Sequence, residues 1–302
     1  MPNERSSHSQ PTPRGGGLAP AIAIAVALVA AGSVDSRTQV ALLIAIGAFG
    51  LIGLVEDLAG VPVLWRFVLQ LAAAAAVAPW LLSDLGGQRT VALIGGAIAL
   101  LFVVAYVNAF NFMDGINGIA VAQTLVAGAT WYVVGQVEHV ASFATAGAVA
   151  AAAALAFAPF NFPRARVFLG DVGSYALGAA LAVLAVVGLR AGIAPEAVLA
   201  PLSLYVADTG ATLVRRLRRG EPWYRPHRDH VYQQLVRSGW SHTTTTLVVG
   251  AVMLVTAALG AVSLGTGIGE RVAADAGILV VLAGYLMAPR LARSRRQEAA
   301  VA

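Results

Sequence analysis

The chain has 302 residues, 58% hydrophobic and 12% charged, with a mean hydropathy of +0.76. Soluble domains carry roughly a quarter charged residues, so most of this surface faces something other than water. There are no cysteines and all 20 basic residues are arginine, which excludes disulfides, thiolate metal sites, cysteine nucleophiles, lysine Schiff bases and a lysine phosphate clamp.

From the N-terminus, Met1 to Gly17 is polar and Pro/Gly-rich, without the apolar core of a secretory signal. Its end, His8 to Gly17, is a proline-stiffened basic loop that reads either as a phosphate cradle or as a flexible tail. Ten apolar runs of membrane-spanning length follow, near 18–32, 38–55, 63–83, 91–108, 117–135, 141–159, 174–190, 196–213, 244–264 and 272–289. Their Ala and Gly content suits close helix packing, and the alanine runs 72–76 and 150–154 read as helix interior. The expected fold is all-α: a polytopic integral membrane bundle of about ten transmembrane helices, one domain over residues 1–302. Ten spans place both termini on one side. Sixteen arginines then fall on the side of the termini, against four (Arg37, Arg89, Arg190 and Arg271) on the other. By the positive-inside rule the termini are cytoplasmic. Topology accounts for the net charge of +5, and no nucleic-acid partner is expected.

On the outer side the acids Asp35, Asp84, Glu138, Glu196, Glu270 and Asp275 are scattered singly and read as solvated. On the cytoplasmic side Glu56-Asp57, Asp114, Asp171, Asp208 and Asp229 each lie at or beside a helix end. Carboxylates there are costly unless paired, hydrated or metal-bound. They either converge on a hard cation such as Mg2+ or pair with the cytoplasmic arginines; charge placement favours neither.

Their surroundings add chemistry. Asn108 to Gly118 (NAFNFMDGING) reads as a polar break between two spans, with amides, a carboxylate and glycines that let backbone approach a ligand. Phe168 to Ser174 (FLGDVGS) opens the seventh span, with free N–H groups suited to phosphate and Ser174 placed as an N-cap. Arg215 to Arg219 reads as an anchor to anionic lipid. In the last loop, His227-Arg228-Asp229-His230 offers phosphate contacts and acid–base capacity near neutral pH, with Pro226 stiffening its approach. Zinc is a weaker reading, because no third soft ligand is near.

These pieces, in this order, resemble the polyprenyl-phosphate N-acetylhexosamine-1-phosphate transferases, the glycosyltransferase family 4 group that includes the MraY and WecA enzymes. The matching stretches are PTPRGGG (11–17), EDL (56–58), NAFNFMDGING (108–118), FLGDVGS (168–174), Asp208 before an arginine pair, and HRDHVYQ (227–233). The resemblance implies a cell-membrane enzyme whose active site faces the cytoplasm. Its loops would be those near 5–17, 56–62, 108–118, 160–174 and 208–243. It would move an N-acetyl amino-sugar 1-phosphate from a UDP-sugar to undecaprenyl phosphate, release UMP and initiate cell-envelope polysaccharide synthesis. Mg2+, or Mn2+ in its place, would be the cofactor, and a homodimer is a further expectation. Asp171 would bind the metal. Asp57 would sit beside the metal and the lipid phosphate, as base or second metal contact. Asp114 would orient the phosphates or the nucleophile. Phe168 would stack on uracil and Asn117 would read its edge. Asn108, Asn111, Ser174 and Asp208 would contact or shape the substrate site. His227, Arg228 and His230 would touch phosphates or sugar.

Three departures stand out. Glu56 replaces the first of the family's paired aspartates. HRDHVYQ is less histidine-dense than the MraY version, which points to a WecA-like enzyme using UDP-GlcNAc or a related deoxy-amino sugar. The family usually carries a span before the PTPRGGG-like loop, whereas His8 has seven residues before it. The rival expectations are a non-catalytic membrane scaffold and a transporter; the latter would need ionisable residues inside its spans.

Overall fold

The computed structural model describes residues 13–82, 89–222 and 227–301, and the side chains of 89–92 and 293–301 fall outside the description. His8, Pro11, Thr12, Asp84, Arg225 and Pro226 therefore lie outside the described residues. The described residues form α-helices and no strand. In chain order these are α1 (Leu18–Ala30), α2 (Ser36–Ala59), α3 (Val63–Leu82), α4 (Arg89–Met113), α5 (Ile119–Val137) and α6 (Ala141–Asn161). They continue with α7 (Gly170–Arg190), α8 (Pro195–Leu199), α9 (Ser203–Arg218), α10 (Val231–Arg237), α11 (His242–Val262) and α12 (Ile268–Val301). Each of the ten expected spans coincides with a helix or, for the eighth, with α8 and α9 together. Among the described residues eight spans are long and apolar enough to cross a membrane; α1 has 13 residues and α5 is less apolar.

The bundle is organised around α7, in which every residue from Val172 to Gly188 is buried. Between membrane helices small residues replace the hydrophobic effect as the means of close packing. A methyl at Gly53 of α2 would collide with the backbone of Asp171, and one at Gly178 would press on Val107 and Phe110 of α4. On the periphery, methyls at Gly128 and Gly147 would strike α6 and α5 respectively. Large apolar side chains such as Leu64, Leu101, Leu155 and Leu279 point outward, as a lipid-facing surface requires.

Three helix limits differ from expectation, each for a long-range reason. First, α4 runs on through Asn108 and Asn111 to Met113, because both amides bond across to neighbouring helices and the chain has no need to turn there. Second, α7 begins at Gly170, so Ser174 lies inside the helix and does not cap it. Third, the eighth span is broken at Ala200–Leu202 by a 3-10 turn. Backbone freed inside a membrane must be satisfied by protein. Gln123 Nε2 donates to the Pro201 carbonyl at 2.8 Å, and Trp131 Nε1 to that of Val198 at 3.0 Å.

Candidate active site

The N-terminal entry to α1, the C-terminal ends of α2, α4, α6 and α9, and the N-terminal ends of α7 and α10 all meet at one end of the bundle. Backbone pairing joins the first of these to α7. Phe168 N–H donates to Pro13 O at 2.9 Å, Gly16 N–H to Phe168 O at 3.0 Å and Gly17 N–H to Leu169 O at 2.8 Å. Gly17 and Gly173 touch backbone to backbone, leaving no room for a Cβ at either. Two of the loop's three glycines therefore pack the PTPRGGG segment onto the FLGDVGS segment; a phosphate cradle is not their role here. Only at Gly15, with φ of +88°, is there open space.

Asp57, Asp114 and Asp171 converge beneath this lid. Asp57 Oδ2 accepts from Val172 N–H at 3.0 Å. The carboxylate thus occupies a donor in the first turn of α7 that the sequence offered to phosphate. Gly170, at φ +75°, allows the approach, since a Cβ there would crowd Asp57 Oδ2 at 2.7 Å. Asp171 is held from behind: Asn111 Nδ2 donates to its Oδ1 at 2.7 Å and to Ser174 Oγ at 2.8 Å. Asp114, just past the end of α4, has no side-chain hydrogen-bond donor among the described residues. Burial first, then the charges of Asp171 and Asp57, push its carboxyl from 3.8 up to about 7.

The other acids on this face are neutralised within the protein. Glu56 Oε1 pairs with Arg66 at 2.8 Å and its Oε2 accepts from Val61 N–H at 2.8 Å, tying down the α2–α3 turn. Asp229 and Glu221 both pair with Arg216 at 2.8 Å. Arg216 is buried and Arg215 donates to Thr212 Oγ1 and the Asp229 carbonyl, so these two arginines fix the last loop; only Arg218 and Arg219 remain exposed for lipid. On the opposite face Glu196 holds Arg271 through two nitrogens and Asp35 caps α2, where solvated acids were expected.

A cavity of about 1190 Å³ connects the three free carboxylates to the bilayer side. Its polar end carries Arg14, Arg66, Phe168, His227 and His230 besides Asp57, Asp114 and Asp171. Its other end is an apolar cleft between α3, α4 and α9, walled by Leu64, Phe67, Leu101, Phe102, Val206 and Leu213. Five of these, Leu64, Phe67, Leu101, Val206 and Leu213, are also outwardly exposed, so the cleft opens where lipid would lie.

Not every expected contact is brought here. Asn108, Asn111 and Phe168 line the cavity, as do His227 and His230. Ser174 and Asp208 do not: both are fully buried, Ser174 behind Asn111 and Asp208 inside α9. Asn117 also lies off the wall; its Nδ2 donates to Pro163 O at 3.0 Å and braces the 161–168 segment that carries Phe168. Arg228 is exposed and off the wall. Conversely, Arg66 and Gln70 were read only as topology and span residues. Gln70 accepts from Asn108 Nδ2 at 2.6 Å and its own Nε2 has no partner among the described residues. A lone glutamine in an apolar span was the available signal.

For a metal, no three Asp, Glu or His side chains among the described residues stand close enough to ligate one ion. The donors do fit Mg2+ as it is usually held, by one or two carboxylates with substrate phosphates and water completing the shell. Asp171 and Asp57 each keep one carboxylate oxygen unused, and Asp114 faces both without a counter-charge.

A model described as glycosyl transferase family 4 matches residues 39–189, from α2 through α7, half of the chain. The chain belongs to glycosyl transferase family 4. All three free carboxylates lie inside that match. Among curated members of the family, it is 33% identical over 287 residues to the decaprenyl-phosphate N-acetylglucosaminephosphotransferase of Mycolicibacterium smegmatis, covering 82% of this chain and 71% of that protein. The Mycobacterium leprae protein of the same name is 32% identical over 289 residues, covering 82% and 72%. A probable undecaprenyl-phosphate N-acetylglucosaminyl 1-phosphate transferase of Bacillus subtilis is 27% identical over 261 residues, again covering 82% and 72%.

Proposed function

We propose that this chain is a transferase that moves N-acetylglucosamine 1-phosphate, or that of a close amino sugar, from its UDP donor to a polyprenyl phosphate such as undecaprenyl phosphate. A phosphate oxygen of the lipid attacks the β-phosphorus of the donor. The bond from that phosphorus to the oxygen bridging to the α-phosphorus breaks, UMP leaves with that oxygen, and a lipid pyrophosphate sugar results. The single observation that carries this reading is the cavity: three uncompensated carboxylates at one end and a lipid-facing apolar cleft at the other, in a member of this family. A soluble nucleotide and a lipid that never leaves the bilayer can meet only in such a space.

The residues divide the task. Asp171 and Asp57 would hold Mg2+, which offsets phosphate charge in the transition state. Asn111, seated on Ser174, keeps the Asp171 carboxylate in place. Asp114 orients the attacking phosphate or the nucleotide phosphates. Arg14, Arg66 and His227 supply positive or donor groups around them, and His230 lines the same end. Phe168 offers an aromatic face to uracil. The 16-to-4 arginine bias supports a site facing the cytoplasm of the cell membrane. Glu56, which stands where the family has an aspartate, has a structural duty in its pairing with Arg66 and leaves Asp57 as the acid of that pair that faces the cavity with an oxygen unused.

The test is product formation by purified protein with Mg2+, undecaprenyl phosphate and a panel of UDP-sugars, with Asp171→Asn as control. UMP and lipid-linked sugar appearing together, and lost in the variant, is the expected result and names the sugar. No product from any donor, repeated with an N-terminally extended chain, overturns the proposal.

A further inference from the structure

Asp208 sits at 0% exposure in the middle of α9. A carboxylate in such a place is tolerated only when its oxygens are fully bonded, and these are. His230 Nδ1 lies 3.1 Å from Oδ1, Val231 N–H donates to both oxygens at 3.2 and 3.0 Å, and Thr212 Oγ1 donates to Oδ1 at 3.2 Å. Tyr285 Oη donates to Oδ2 at 2.8 Å. The partners come from α9 itself, from the start of α10 and from α12, and Tyr285 lies beyond every motif on which the family resemblance rests.

This geometry fixes an imidazole. Asp208 Oδ1 offers Nδ1 an acceptor at 3.1 Å, so hydrogen on Nδ1 satisfies the pair and leaves Nε2 of the neutral ring as an acceptor. The ring is buried at 3% exposure yet forms part of the cavity wall. His227, Phe112 and Tyr232 flank it, with ring centres 5.0, 6.2 and 6.0 Å away. His230 N–H is taken by Gln233 Oε1 at 3.3 Å, so backbone and side chain are both held.

We propose that Asp208 and Tyr285 are positioning residues for the reaction proposed above, fixing the tautomer and ring plane of His230 so that Nε2 serves the substrate side of the cavity. The inference rests on the transferase reading for its purpose, while its structural content, the His230 tautomer, can be measured independently. The competing role for Asp208 is purely architectural, closing the first turn of α10 through Val231 N–H.

A double-mutant cycle separates the two roles. Asp208→Asn preserves shape but places an amide where Nδ1–H needs an acceptor. It is expected to lower kcat/KM roughly 10- to 100-fold, as loss of an outer partner of a functional histidine commonly does. In a His230→Gln background the same change should cost little more, and Tyr285→Phe should show a smaller loss with the same non-additivity. Losses that multiply independently of His230 overturn the proposal. The second measurement is ¹⁵N NMR of histidine-labelled protein, tractable with five histidines, with His230 assigned by its absence in His230→Gln. The Nδ1–H form in wild type and its replacement by Nε2–H in Asp208→Asn are expected. Nε2–H in wild type, or an unchanged tautomer in the variant, overturns the proposal. If wild type makes no lipid-linked product from any donor, the transferase reading fails, and the tautomer result decides the positioning claim by itself.

Discussion

Two acidic regions share one end of this bundle and have opposite character. Asp57, Asp114 and Asp171, at the ends of α2, α4 and α7, face a cavity with bonds left unmade, and burial and the charges of Asp171 and Asp57 push Asp114 toward protonation. Asp208 and Asp229, at α9 and before α10, have a histidine, a tyrosine or an arginine on every side. Residue type and side of the membrane are the same in both. What differs is whether the protein supplies the counter-charge, and only the region where it does not is waiting for one. An uncompensated acidic cluster in a cleft marks groups that meet substrate or metal; a compensated one holds its neighbours in place.

The largest effects should come from the open region and should fall on activity. Asp171→Asn is expected to reduce UMP release by at least about a thousandfold, on the scale of losing one principal electrostatic contact to the transition state. Thermal stability should hold or rise, because the change removes a charge from beside Asp114. A large loss of Tm with activity retained would erase the contrast between the regions. In the closed region the order reverses. Arg216→Ala leaves Asp229 and Glu221 without their partner and should cost about 2 kcal/mol, less than a fully buried pair because both acids are partly exposed. Denaturant or thermal unfolding in detergent measures it, and a stability equal to wild type would show that the pairing is idle.

The pH response sharpens the same contrast. Asp114 has a carboxyl raised from 3.8 to about 7 in the folded protein. The native state therefore binds that proton more tightly than the unfolded chain. Its contribution is fully present below about pH 3.8 and is lost as pH rises through about 7. Without divalent cation, Tm should fall as pH rises across that window, and Asp114→Asn should flatten the slope. Added Mg2+ should raise Tm more at the alkaline end, where the carboxylates are free to bind it. A metal-free Tm that climbs with pH through this window would mean that the cluster is already compensated.

Much of this was legible in the sequence, because the bilayer makes helices announce themselves. Apolar runs of fixed length and the arginine bias gave the bundle, and the ordered motifs gave the family and its three carboxylates. What stayed hidden depended on distant partners. Asn108 and Asn111 look like a break in a span until Gln70 and Asp171 accept their amides. The turn inside the eighth span is masked because Gln123, some 78 residues away, satisfies it. Asp208 reads as a site residue from its position, and nothing local reveals that Tyr285 and His230 enclose it. The arginine run 215–219 looks uniform, although its members divide between buried pairs and solvent.

Glu56 joins the two regions, since it neighbours Asp57 in sequence yet behaves like the closed group. Its extra methylene lets one oxygen reach Arg66 while the other caps Val61 N–H, both at 2.8 Å. Glu56→Asp restores the aspartate pair usual in the family but shortens the reach by one carbon. If Glu56 is a tether for the α2–α3 turn, the variant should lose at most a few-fold in kcat and about 1 kcal/mol of stability, the scale of one or two charge-assisted hydrogen bonds. Asp57→Asn measured beside it should abolish most activity. A loss in Glu56→Asp as deep as that of Asp57→Asn would place Glu56 among the substrate-facing acids, and the boundary between the regions would then run on the far side of Arg66.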